Sequence, residues 1–416
     1  MNELVSADEV RAVAEKMLGA DAELIDYVVG KGTATVQGFM SDILRVSFRV
    51  KVGRKIVESK FVVKRQPNLE SQQKLAAEFG IFEHEIAFFE KCSPLLLEQC
   101  PELPTVRCYR TDRHRQIIYM EDLKEAGFCT VVGNVVQLKD NILGMEHARK
   151  VMQTQAVFHS ASVGIDFYKR FPELFEEDTF FERNGGSVMR NCVKQAVQKT
   201  LLPIALHHFK EERFIKSVEW VASDDFYEAV VAACKPTADR INVLCHGDSW
   251  ANNMMFQIDP KDGNILQIKL IDFQLVRYTA GNRDLLYFLY MCFSTEFREQ
   301  NKKELLALYW DTFSSECAKR GIALNSSLEK FCADFEADRI FGLMMSAVFR
   351  PTIFMDENFP QGDEALTDEQ MNGIMDGGAT GPEKALEEFE NNPAYRRELI
   401  SIISELAEYY HEVYLK

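Results

Sequence analysis

Across its 416 residues the chain has no C-x-x-C pair and no G-x-G-x-x-G, and its longest fully apolar run is nine residues, Leu285 to Phe293. A membrane span needs about 20 apolar residues, so no crossing is expected. The ten cysteines, at 92, 100, 108, 129, 192, 234, 245, 292, 317 and 332, lack paired metal-ligand spacing. They read as reduced, buried thiols. The opening MNELVSADEVRAVAEKM puts charges where a signal peptide needs an apolar core. A soluble, cytoplasmic protein is the expectation. Positive charge is also short: 48 Lys and Arg stand against 64 Asp and Glu, a net charge of −16. That balance argues against nucleic acid or an anionic membrane as the main partner.

What is present is ordinary globular composition, 46% apolar and 27% charged, which excludes disorder, collagen and coiled coil. The length suggests two or three folding units. Between Asp356 and Glu390 there are eleven acidic residues and one base, Lys384, together with Gly373, Gly377, Gly378, Gly381 and Pro382. This stretch reads as a solvated loop or irregular insertion.

Leu44, Val46, Phe48, Val50 and Val52 alternate with polar residues, the period of a half-buried strand. Gly53-Arg54-Lys55 turns the chain, and Ile56 to Lys64 runs back. Ala34 to Phe39 is a candidate preceding strand. Residues 70 to 91 carry Phe79, Phe82, Ile86 and Phe89 at helical spacing. Strands at Val106 to Arg110 and Gln116 to Met120 follow. Long helical patterns then occupy 145 to 163, 205 to 222, 301 to 320 and 327 to 349. They are interrupted by short apolar pieces at Val243 to Cys245, Met254 to Gln257 and Ile268 to Ile271. The fold class expected is α+β and two-lobed. Residues 1–122 form a small antiparallel β lobe with one helix, and residues 123–416 form a larger, mostly helical lobe, with a cleft between them.

The β interruption holds LCHGDSWANNMMF and then KLIDFQ. Asp248 and Asn253 are five apart, and Asp272 opens the turn after the second apolar strand. Phosphoryl transfer from ATP needs a carboxylate to orient the attacking hydroxyl and oxygen ligands for Mg2+. Asp-x-x-x-x-Asn followed by a strand-ending Asp supplies both. His246 would orient the loop, and Gly247 would relieve its bend. A strand lysine and a helix glutamate should anchor the phosphates. Lys64 ends KFVVK, and Glu85 lies within FGIFEHEIAFF. Gly38-Phe39-Met40-Ser41 sits where a turn could lay backbone N–H groups over phosphates.

HGDSWANNMMF, IDFQLVRYTAGNRDLLYFL, IIYMEDLKEAGF and AVFHSAS together resemble the ecdysteroid kinase-like family, insect proteins related to choline kinases and aminoglycoside phosphotransferases. The resemblance runs from about Gly38 to beyond Phe349. It implies Asp248 as catalytic base, with Asn253 and His246 beside it, and Asn253 and Asp272 as Mg2+ ligands. Lys64 and Glu85 would anchor ATP, and Met120, Glu121, Asp122 and Leu123 would form the adenine-binding hinge. His159 is read as structural and Asp284 as a brace for the metal loop. The phosphate loop departs from the family pattern, leaving Ser41 or Asp42 as the candidate nucleotide contacts.

The family implies an alcohol acceptor, first an ecdysteroid hydroxyl, with choline-like, plant or xenobiotic alcohols as alternatives. Phe180, Phe181, Phe341, Met344, Met345, Phe349 and Phe354 could line an apolar cleft or simply be core. A kinase-like binding protein without turnover stays open. A protein kinase lacks support, since His-Arg-Asp and Ala-Pro-Glu are both missing.

Overall fold

In the computed structural model, which describes residues 4–32, 41–131, 143–354 and 381–414, the alternating segment becomes the second strand of a five-stranded antiparallel sheet. Helix α1 (Ala7–Leu18) precedes β1 (Ala22–Lys31), β2 (Asp42–Val52) and β3 (Lys55–Arg65). Next come α2 (Glu70–Phe79), α3 (Ile81–Ala87), a wide turn at Phe88–Cys92 and α4 (Ser93–Gln99), then β4 (Cys108–Asp112) and β5 (Ile117–Glu121). The strand order is β1-β2-β3-β5-β4. Its register sets Lys64 opposite Ile43 on one side and Ile118 on the other. Val46, Phe48, Val50, Phe61 and Val63 are buried on one face under α1.

Several expectations are corrected. The candidate strand Ala34 to Phe39 lies wholly outside the described residues, and among those described the strand before β2 is β1. β1 carries no clean alternation, because Ile25 and Val28 are exposed. The single helix expected over 70–91 is broken at Gly80, whose φ of +62° ends one helix and opens another. The small lobe therefore holds several helices rather than one.

The larger lobe opens with β6 (Phe128–Cys129) and α5 (Met145–Ser160). Short helices α6 (Phe167–Arg170) and α7 (Pro172–Phe175) lead to α8 (Asn184–Ala196), α9 (Leu202–His208), α10 (Glu212–Val221) and α11 (Asp224–Ala233). Two small antiparallel sheets follow, built from β7 (Asn242–Cys245), β8 (Met254–Ile258), β9 (Ile265–Leu270) and β10 (Arg277–Ala280). They pair as β10-β7 and β6-β8-β9. The chain ends with α12 (Asn282–Cys292), α13 (Thr295–Lys319), α14 (Leu328–Ala337), α15 (Arg339–Phe354), α16 (Pro382–Asn391) and α17 (Pro393–Tyr414). The patterns expected at 205–222 and 327–349 are each two helices, divided near Phe209 and at Asp338. Residues 356–380 of the acidic tract lie outside the described residues, and its end is helical, with Ala385 and Phe389 buried on α16. Phe181, Phe341, Met344, Met345 and Phe354 are buried core.

Buried charge ties the last helix to α12. Glu405 accepts from Arg298 and from Tyr290 Oη at 2.9 Å. Arg350 pairs with Glu398 and donates to Met291 O at 2.8 Å. At the other end, Ser6 and Glu9 form a reciprocal cap on α1. Glu9 is tied to the β4–β5 turn through Arg115 and to β5 through the Tyr119 hydroxyl.

Burial alone would raise the Glu9 carboxyl, but Arg115, Tyr119 and Ser6 outweigh it and pull the pKa down to about 2. A depressed carboxylate contributes stability that is complete above its unfolded pKa of 4.5 and fades as pH falls toward 2. Glu9→Gln should therefore flatten the acid limb of stability between these values, read by thermal unfolding against pH. An unchanged acid limb would contradict this.

Candidate active site

The turn after β7 can exist only with glycine at its centre. Gly247 has φ of +85°, and a Cβ there would stand 1.6 Å from Leu275 O. Asp284, in the first turn of α12, receives the backbone N–H groups of His246 at 2.6 Å and Gly247 at 2.9 Å. His159 Nε2 meets the same carboxylate at 2.9 Å, and its Nδ1 meets Tyr309 Oη at 2.8 Å. Burial pushes the Asp284 carboxyl up, but His159, His246 and the loop N–H outweigh it, so its pKa lies below the usual value. Asp284 thus braces the catalytic loop and not the metal loop, a correction to the sequence reading. His246 is buried and turned from the cleft, with its ring against Phe273 at 4.7 Å and Nε2 at 2.8 Å from Ile271 O. It ties the two loops together, the orienting part of what the sequence suggested.

Asp248 is held at both oxygens. Oδ1 accepts from Tyr287 Oη at 2.6 Å, and Oδ2 accepts from Asn253 Nδ2 at 2.8 Å and Gln274 Nε2 at 3.3 Å. Burial and the nearby Asp272 carboxylate raise its pKa, opposed by Tyr287, His246 and Asn253. The Asn253 amide nitrogen also donates to Asp248 O at 2.9 Å. Its carbonyl oxygen is therefore the atom left for the cavity that Asn253 lines.

Lys64 Nζ lies 2.6 Å from Glu85 Oε2 and 2.6 Å from Asp272 Oδ1. Burial would discharge this ammonium, but the two carboxylates outweigh it and keep its pKa above normal. Glu85 is pushed up to about 7 by burial, with Lys64 pulling the other way. Its Oε1 accepts the Phe273 N–H at 3.2 Å, and Phe273 stacks on Phe88 at 4.1 Å. Asp272 has φ of +69°, a strained conformation costing on the order of 1 kcal/mol.

Lys64, Glu85, Asn253 and Asp272 face a cavity of about 140 Å³ that Ser41, Val62, Met120, Glu121 and Leu123 also line, and Asp248 adjoins it through Asn253. Gly38 lies outside the described residues, and Asp42 is engaged by Arg65 and Asn68. A larger groove, about 700 Å³, lies on other surfaces, lined by residues such as Leu97, Arg107, Lys150 and Leu266, and contains none of the expected site residues. Sequence reasoning missed Tyr287, Gln274, and the Arg45–Asp122 ion pair that joins β2 to the hinge. Tyr287 was within reach, being three residues after Asp284 on the same helical face.

The family model described as the ecdysteroid kinase-like family matches residues 35–321. The Caenorhabditis elegans protein called uncharacterized oxidoreductase dhs-27 is 22% identical over 357 residues, which is 80% of this chain and 38% of that protein. The chain therefore spans little more than a third of that relative, whose nematode source gives no support to an insect origin. Among solved structures, a choline/ethanolamine kinase family protein from Mesorhizobium loti is 12% identical, with a TM-score of 0.40 over 95% of this chain and 99% of its own. The choline kinase LicA from Streptococcus pneumoniae is 14% identical, with a TM-score of 0.38 over 95% and 98%.

Gly247→Ala should lower stability by at least about 3 kcal/mol, because both space and φ forbid the methyl group. Chemical denaturation measures this. A midpoint equal to wild type would mean that the loop has another conformation open to it.

Proposed function

The chain belongs to the ecdysteroid kinase-like family, and from that premise we propose that it transfers the γ-phosphoryl group of ATP to the hydroxyl of a small-molecule alcohol, an ecdysteroid first among the candidates. The observation that carries this reading is the meeting of Lys64, Glu85, Asn253 and Asp272 at one cavity, with Asp248 hydrogen-bonded directly behind Asn253, the five drawn from four separate stretches of the chain.

On this reading Asp248 orients the acceptor hydroxyl and takes its proton as the oxygen attacks the γ-phosphorus and ADP leaves. Lys64, fixed by Glu85, holds phosphate oxygens. The Asn253 carbonyl and the Asp272 carboxylate are hard oxygen donors, a set that suits Mg2+. When bound there, the ion would neutralise charge on the phosphates. Leu123 O already accepts from Ala126 and Phe128, at 3.1 and 3.0 Å. On this reading its N–H is the group that meets a nucleobase. Ser41 stands beside the phosphate end, and His246 acts by positioning.

Residues 1–122 serve as the nucleotide lobe and 123–416 as the helical lobe. The net charge of −16 supports partners limited to nucleotide and alcohol, without nucleic acid. Among the described residues no helix is long and apolar enough to cross a membrane. A cytoplasmic location is the reading that goes with these features. A silent binding protein is the weaker alternative, because all five polar residues are retained.

Asp248→Ala and Asp272→Ala should each cut phosphoryl transfer on the order of 10²- to 10⁴-fold while the protein stays folded. The assay is labelled ATP with ecdysteroids, choline and plant alcohols as acceptors. Wild-type protein that binds Mg-ATP yet phosphorylates none of them would replace the kinase reading with the binding-protein one.

A further inference from the structure

Gln274 follows Asp272 by two residues and is only 9% exposed. Its amide has one sensible orientation. An ionised carboxylate accepts and cannot donate, so the group facing Asp248 Oδ2 at 3.3 Å is Nε2. The carbonyl Oε1 is turned from that carboxylate, buried, and without a donor among the described residues. Buried carbonyls are almost always satisfied, and an orphan acceptor beside the base is a place for something that binds there. Tyr287 and Asn253 offer no relief, since both already donate to Asp248.

The oxygen and nitrogen of an amide are about 2.3 Å apart, which puts Oε1 within about 5.6 Å of Asp248 Oδ2. Two adjacent hydroxyls, each hydrogen-bonded at about 2.7–2.8 Å, bridge that span. The charge of the acceptor narrows the donor further. A carboxylate at this position would suit an ammonium, whereas a neutral carbonyl suits a hydroxyl.

We propose that Gln274 Oε1 accepts a hydrogen bond from a second hydroxyl on the carbon next to the reacting one, so that the acceptor substrate is a vicinal diol. This rests on the kinase reading above and names its substrate class. The reacting oxygen forms its bond to the γ-phosphorus and gives its proton to Asp248, while the bond from phosphorus to ADP breaks with its electron pair on ADP. The second hydroxyl keeps its proton and holds the first in line. Asp248 thus selects for a hydroxyl, and Gln274 for its neighbour.

The test uses the full chain, Mg-ATP and matched probes on a sterol and a cyclohexane scaffold: the lone alcohol, the 1,2-diol and the 1,2-amino alcohol. Wild type should favour the diol over the lone alcohol in kcat/KM by on the order of 10-fold or more, since a site with a buried acceptor rejects the analogue that leaves it unpaired. Gln274→Met keeps the length and loses the carbonyl, and should bring that ratio to about one while the nucleotide-induced thermal shift persists. A variant that slows both alcohols with the ratio unchanged would show that Gln274 acts only through Asp248, and would overturn the proposal. So would a wild-type ratio near one, which needs no variant to fold, or preference for the amino alcohol. Nucleotide binding with transfer to no probe overturns it in a different and recognisable way, because the kinase reading then falls first.

Discussion

An ammonium inside a protein must be neutralised where it sits, and Lys64 meets that demand with carboxylates from two other segments. Glu85 comes from α3 and Asp272 from the turn after β9, so this one cation joins the sheet, the inserted helices and the larger lobe. Removing Lys64 would leave the two carboxylates beside each other without a counter-charge, a loss typically of about 3–5 kcal/mol. The Phe273 N–H on Glu85 and the Phe273 ring on Phe88 extend the same joint with a backbone bond and a stacked apolar contact. Position 272 accepts a left-handed backbone because so much around it is fixed.

The second loop is fixed by different means. Asp248 receives three side-chain donors, and the backbone beneath it is gripped by Asp284. His246 then spans to Ile271 O, so the two acidic residues are set relative to each other by a hydrogen bond that neither makes. Such a site is built before any ligand arrives, and its donors need little rearrangement when charge develops.

What could be read from sequence followed from how local each signal is. The β2 strand was legible because one face is buried and the alternation is clean. β1 was not, because its exposed Ile25 and Val28 blur the pattern. Apolar spacing runs on across Gly80, so one helix was expected where a left-handed glycine makes two. The end of the acidic tract looked solvated by charge count, yet Ala385 and Phe389 give α16 an inner face. At the site, Lys64, Glu85, Asp248, Asn253 and Asp272 lie in motifs and could be named. Gln274 and the Arg45–Asp122 pair could not, since contacts between residues 26 or 77 positions apart leave no trace in local spacing.

The C-terminal helix gains a meaning from where its two buried acids reach. Glu405 and Glu398 hold α12 by way of Tyr290, Arg298 and Arg350, and α12 is the element that carries both Asp284 and Tyr287. The last twenty-odd residues of the fold are therefore part of the foundation on which the base is aimed, and damage at that far end would be felt as a tilt of the carboxylate rather than as a missing group.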